Sequence, residues 1–250
     1  MFCGATSVTK AHVFAKSWTS LFDEPNDTRE HEVVHRYEDP ETGEQRLLKR
    51  AKTFALVSRK VCGACNSGWL SELEERVRPL MAAFAANTPI TLDTEEQADL
   101  ALWSVAAALI AMSNDPNAAG FADPAIAREM FREQRPPAGM DIWLGANSHG
   151  EMGWFGSHSL NLAHAPDQTG AWGATISFGY AVIHMVFHGL LNERMQLRGD
   201  AARSLRRIWV PRDRVVWPSK LVMRPHDLTP LAVAVGQQSS FERAVLAPSG

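Results

Sequence analysis

Cys62 and Cys65 stand at a Cys-x-x-Cys spacing, in Val61-Cys62-Gly63-Ala64-Cys65-Asn66, which puts two thiols on one tight turn. Zn²⁺ takes four sulfur or nitrogen ligands in a tetrahedron, and a closed set of them holds structure without doing catalysis. A Cys-x-x-Cys turn supplies half of such a set. The remaining cysteine, Cys3, is followed by Gly4, a composition common in turns of this kind. Cys3, Cys62 and Cys65 are therefore expected to meet at one structural zinc ion, with His31 and His35 as candidates for a fourth ligand. The competing reading is three unlinked buried cysteines, which pack as small apolar residues. His12 lies between the cysteines in sequence and, taken alone, reads as a satisfied structural histidine.

The elements that must position these residues follow from patterning. Asn66, Ser67 and Gly68 lead into a helix whose Leu70, Leu73, Val77, Leu80, Met81 and Phe84 share one face. Pro79 is expected to kink that helix or end its regular part. Upstream, His31–Glu38 and Gln45–Val57 flank a turn at Asp39-Pro40-Glu41-Thr42-Gly43 and read as a β-hairpin. The order is thus histidine, hairpin, then a helix opened by Cys-x-x-Cys.

Three stretches together, Cys3-Gly4, Thr9-Lys10-Ala11-His12-Val13-Phe14 and Val61-Cys62-x-x-Cys65-Asn66-x-Gly68-Trp69-Leu70-Ser71-x-Leu73-Glu74, resemble the zinc-bearing branch of the HNH (ββα-metal) endonucleases. The resemblance covers roughly residues 1–75. It implies two zinc knuckles clamping a β-hairpin against a helix, His12 as general base, and Asn66 as a ligand of a catalytic Mg²⁺ or Mn²⁺ ion. The chain departs from the family twice. Ala11 stands where the family carries a metal-binding Asp or Glu, and the cysteine expected three places before Cys3 has no counterpart. Glu72 or Glu74 is the candidate replacement for the missing carboxylate.

The rest of the chain reads as a helical middle and a β-rich half. Thr94-Glu95-Glu96-Gln97 is a capping-box pattern that starts a helix to about Ser113, and Asp123-Pro124 starts another to Gln134. Asp141–Asn147, Ser157–Ala165, Thr175–Phe187, Ile208–Val210 and Val215–Met223 read as strands; Leu190–Arg207 reads as a short helical or looped segment and Ser239–Gly250 as a frayed tail. The expected class is α+β: a ββα zinc module at residues 1–90, then residues 91–250. His158, His164, His184 and His188 form a second set. On a helix His184 and His188 would share a face; on a strand they lie about 13 Å apart, too far for one metal. Their spacing lacks the Glu of His-Glu-x-x-His, so a zinc-protease reading fails. His158 would face His184 across the sheet if the strands flanked a turn near Ala171.

Composition sets the outer limits. With 45% hydrophobic and 21% charged residues among 250, the chain has the balance of an ordinary globular protein. Few cysteines, the absence of an apolar leader and an apolar run (Leu100–Met112) too short for a bilayer predict a soluble, cytoplasmic protein with no membrane partner. The formal net charge is −3, yet residues 46–60 hold Arg46, Lys49, Arg50, Lys52, Arg59 and Lys60 with no acid. Residues 194–214 hold seven arginines against Asp200 and Asp213. Such blocks can neutralise phosphates, so DNA is the expected partner and a protein partner the alternative. Three activities are compatible with this sequence: an HNH-like endonuclease, a catalytically degenerate binding module of the same build, and an unrelated site within residues 140–225.

Overall fold

Beyond its polar first turns, helix α3 (Thr94–Met112) is apolar on nearly every side, and each residue from Leu100 to Met112 is buried. A helix of that kind has to be enclosed, and the other elements form its enclosure. The computed structural model describes residues 1–22, 32–38, 45–52, 57–114, 122–159, 171–190, 193–197, 199–223 and 245–248. Asp93 starts α3: its carboxylate accepts the backbone N–H groups of Glu95 and Glu96, and the Glu96 carboxylate accepts that of Asp93. The capping box thus falls one residue before the predicted Thr94. That shift frees Gln97 to turn inward, where its amide donates to the carbonyls of Leu92 (3.2 Å) and Asp213 (2.7 Å).

β1 (Val8–His12) and β4 (Val57–Cys62) form an antiparallel ribbon. Between them in sequence, β2 (Glu32–Glu38) and β3 (Gln45–Lys52) form the predicted hairpin. Its second strand is described as far as Lys52, residues 53–56 of the expected strand lie outside the described set, and Val57 opens β4. Patterning did not reveal β1 because three of its five residues face solvent, leaving little apolar alternation. A short helix, α1 (Gly63–Ser67), and the longer α2 (Trp69–Ala85) follow. Gly68 separates them, since a Cβ there would sit 2.5 Å from the Ala64 carbonyl oxygen. Helix α2 continues through Pro79 to Ala85, held by the apolar face that runs from Leu70 to Phe84.

Farther along the chain, α4 (Pro124–Glu133) starts at Asp123 as expected, and the long strands β6 (Met140–Ser159) and β7 (Trp172–Phe187) pair antiparallel. Two strands predicted at 141–147 and 157–165 are therefore one strand as far as Ser159, with irregular pairing around Glu151; residues 160–165 lie outside the described set. Two short strands, β5 (Ile90–Leu92) and β8 (Glu193–Gln196), and helix α5 (Gly199–Ser204) precede β9 (Arg206–Trp209), which adds to β6. β10 (Val215–Trp217) pairs with β5 and stops before Pro218, short of the predicted Met223. β11 (Val245–Pro248) pairs with β8 inside the segment expected to fray. The α+β class holds.

One apolar cluster joins both halves. Phe14 and Trp18, which follow β1, pack on Trp103 of α3 and Phe178 of β7, with ring centroids 5.2 to 6.3 Å apart. Phe84 at the end of α2 meets Trp217 edge-on at 4.8 Å. The backbone of β7 touches α2 directly at Gly179, which has φ +56° and leaves only 2.4 Å between a built Cβ and the Phe84 carbonyl oxygen. Only glycine meets both demands. The boundary expected near residue 90 thus runs through a continuous core.

Candidate metal centre and the polar site beside it

Cys62 closes β4 and caps α1, its sulfur accepting the Cys65 backbone N–H at 3.4 Å. That bond folds the Cys-x-x-Cys turn so that both sulfurs face one side. Cys3 is delivered by the segment before β1. Phe2 is buried and packs edge-on against Trp69 at 5.1 Å, while the Met1 nitrogen donates to the Lys60 carbonyl at 2.8 Å. Cys3 Sγ and Cys62 Sγ lie 3.2 Å apart, and the sulfurs of Cys3, Cys62 and Cys65 are mutually within 4.8 Å. Sulfurs bound to one zinc at about 2.3 Å each are about 3.8 Å apart, inside that span. The sequence expectation that the three thiols converge is met, and the cluster can hold a metal ion.

The outer and inner thiols of the trio are shifted in opposite directions. A backbone hydrogen bond at Ala5, helped by the Cys62 and Cys65 thiols, brings Cys3 down to about 7. Burial, reinforced by the neighbouring thiols, pushes Cys65 up to about 12. Without a cation the trio carries little thiolate at its inner member; a divalent cation would remove that obstacle by accepting the sulfur lone pairs directly. Trp69 adds to this. Its buried indole N–H makes no hydrogen bond of ordinary geometry, yet it is near enough to Cys65 to favour the thiolate. Of the proposed fourth ligands, His31 and the side chain of His35 lie outside the described residues.

His12 ends β1 opposite Val57 and is half-buried. Asn66 sits on α1, and its amide nitrogen donates to the Lys10 carbonyl at 3.3 Å. This bond ties α1 to the strand two residues before His12, about 7 Å along it. The start of β4 is anchored in turn by the two residues that follow α3: Asn114 donates to the Val57 carbonyl (3.1 Å), and the Ser58 and Ser113 hydroxyls bond at 3.0 Å. Ala11 alternates inward and is fully buried, opposite buried Ser58. Sequence reasoning could not see that the position before the histidine faces the core in this chain. Glu74 lies at the edge of the apolar face of α2, where burial and then the nearby Glu75 carboxylate raise its pKa to about 7.

His184 and His188, the members of the second histidine set whose side chains are described, have separate partners. His184 lies on β7 opposite Trp143, stacks on that ring at 5.9 Å and bonds Thr175 Oγ1 through Nδ1 at 2.9 Å. His188, just past β7, accepts the Leu190 N–H at Nδ1 and so presents Nε2–H to Asp141 at 3.2 Å. His158 pairs with Gly173, not with His184, because β6 already faces β7 at Ser159 opposite Trp172, which centres the connection before Ala171; His164 lies outside the described residues. Sequence reasoning missed Asp141. Fully buried, it accepts from His188, from the Met195 N–H at 2.6 Å and from Arg207, whose guanidinium also covers the Trp143 ring at 5.1 Å. Every oxygen of that carboxylate is engaged, which makes it a structural tie among β6, β8 and β9.

The 194–214 basic block divides accordingly. Arg194 and Arg207 turn toward Asp141, while Arg203, Arg206, Arg212 and Arg214 are exposed. Among the described residues no helix is long and apolar enough to cross a membrane. Comparison with family models, with curated proteins and with solved structures finds no match to this chain.

Proposed function

We propose that the first part of the chain is a zinc-held, HNH-like module that hydrolyses phosphodiester bonds in DNA, with His12 as general base. The observation that carries this reading is the Asn66–Lys10 hydrogen bond, which brings the residue after the Cys-x-x-Cys turn to the strand that ends in His12. Cys3, Cys62 and Cys65 would hold the zinc, which fixes the corner where α1 meets β1 and takes no part in the reaction. The His12 imidazole, as general base, accepts a proton from the attacking water as the new P–O bond forms; the 3′-oxygen departs with the electrons of the broken bond.

HNH-type hydrolysis also calls for Mg²⁺ or Mn²⁺, hard cations that prefer several oxygen ligands, carboxylates above all. Asn66 offers one amide oxygen, and position 11 is a buried alanine. The described residues at this spot do not make a complete site for such an ion. That same buried Ala11 favours a second reading, a module that binds DNA without cutting it.

Supercoiled plasmid incubated with Mg²⁺ or Mn²⁺ separates the two. Nicking or linearisation that falls about 10²-fold or more in His12→Ala supports hydrolysis, the usual contribution of a general base. Plasmid that is bound yet stays supercoiled with the wild-type protein leaves the binding module as the function. Restoring an acid by Ala11→Asp is a poor test, because the fully buried position would trap an unpaired charge.

A further inference from the structure

The ribbon of β1 and β4 has an irregularity that sequence patterning did not suggest. Thr9 pairs with Val61 and Ala11 with Ser58, so the single residue Lys10 is opposed by two, Arg59 and Lys60. In an ordinary strand, consecutive side chains point to opposite faces, and one of Arg59 and Lys60 would turn inward. A two-to-one bulge relaxes that alternation and re-aims a side chain. Here Lys10, Arg59 and Lys60 are all exposed. Like charges set across a ribbon repel each other. None of the ion pairs among the described residues involves these three, so no carboxylate there offsets the repulsion.

We infer that the bulge builds a binding surface for a nucleic-acid phosphodiester backbone, with Lys10, Arg59 and Lys60 as its phosphate contacts. The inference rests on the DNA reading above and narrows it to one face and three side chains. Lys10 was not part of either basic segment; the fold adds it. Its own carbonyl carries the Asn66 amide, and His12 lies two residues farther along β1. A backbone held on these cations is thereby led toward the imidazole. This continuity favours a polynucleotide over an acidic peptide or an anionic membrane, neither of which has a use for the adjoining His12 and Asn66.

The test is fluorescence anisotropy of a labelled 20-base-pair DNA duplex titrated with the full-length protein between 50 and 200 mM NaCl, in chelator-free buffer without added Mg²⁺. Each phosphate contact contributes about 0.9 to the slope of log K against log salt, so Lys10→Gln/Arg59→Gln/Lys60→Gln should lower that slope by about 2.7. Over this fourfold salt range the wild type should then lose about 40-fold more affinity than the variant. Lys10→Gln alone should lower the slope by about 0.9, and it decides the question if the triple variant does not fold. The charge-matched control Arg128→Gln/Arg132→Gln/Arg135→Gln on and just after α4 should keep the wild-type slope.

An unchanged slope in the ribbon variants, or an equal loss in the α4 control, overturns the inference. So does ribbon-dependent binding of poly-glutamate or anionic vesicles by a protein that ignores DNA. Wild type that binds through the ribbon but leaves plasmid uncut refutes the nuclease reading alone. Wild type that cuts while the ribbon variant binds with unchanged salt dependence refutes this inference alone.

Discussion

On the proposed zinc reading, removing the metal should have a large, calculable effect on stability, because Cys3 and Cys62 are 59 positions apart in the chain. A cross-link over a loop of that length removes about 4 kcal/mol of conformational freedom from the unfolded state in the chain-entropy treatment. For a protein of 250 residues each kcal/mol moves the melting temperature by about 2–4 °C, so chelation should lower it by about 8–16 °C. The assay is thermal melting by circular dichroism before and after dialysis against a chelator, with zinc measured in parallel at an expected one ion per chain. Cys3→Ser supplies the decisive comparison. It leaves the Cys-x-x-Cys turn intact and removes only the long-range tie, so it should melt near the chelated wild type and respond little to chelator. Coincident melts of native and chelated wild type would refute the reasoning. A full chelator response retained in Cys3→Ser would show that the ion does not close this loop.

Two further effects follow from local geometry. Gly179→Ala should cost about 3 kcal/mol, combining the positive-φ penalty with displacement of the α2 backbone and loosening of Phe84 against Trp217; a melt within 2 °C of wild type would refute the close contact. Glu74→Gln should change the pH dependence of stability. The folded pKa is raised to about 7 from 4.5, so the carboxyl is neutral in both states below pH 4.5 and adds no penalty there. The cost grows as pH rises from 4.5 to 7 and is complete above that range. The substitution should therefore stabilise by about 1–2 kcal/mol at pH 8 and by nothing at pH 4.5, read from urea melts at the two pH values.

The convergence of the cysteines was legible because ligand spacing is local: Cys62 and Cys65 share one turn, and only Cys3 remained to join them. The β2–β3 hairpin and helices α2 to α4 were legible for a similar reason, since periodicity and caps act within a few residues. β1 was not, because a strand with three exposed positions gains its order from a partner strand far along the chain, Val8 opposite Cys62 and His12 opposite Val57. The Asp141 tie and the inward turn of Ala11 were hidden for the same cause. Both depend on which face a residue presents after distant strands have paired. Asp93 displaced Thr94 as the cap of α3 because a carboxylate with two N–H donors outbids a hydroxyl, and because Gln97 was needed inside.

Phe14, Trp18, Trp103 and Phe178 also bear on any attempt to use the three-cysteine corner by itself. Cut after residue 90, that corner would present half of an aromatic interior to water and would clump before it could recognise anything. It is not a transplantable cassette. Chimaeras meant to redirect it to a new target would have to carry α3 and β7 along, or supply an equivalent apolar backing from the recipient.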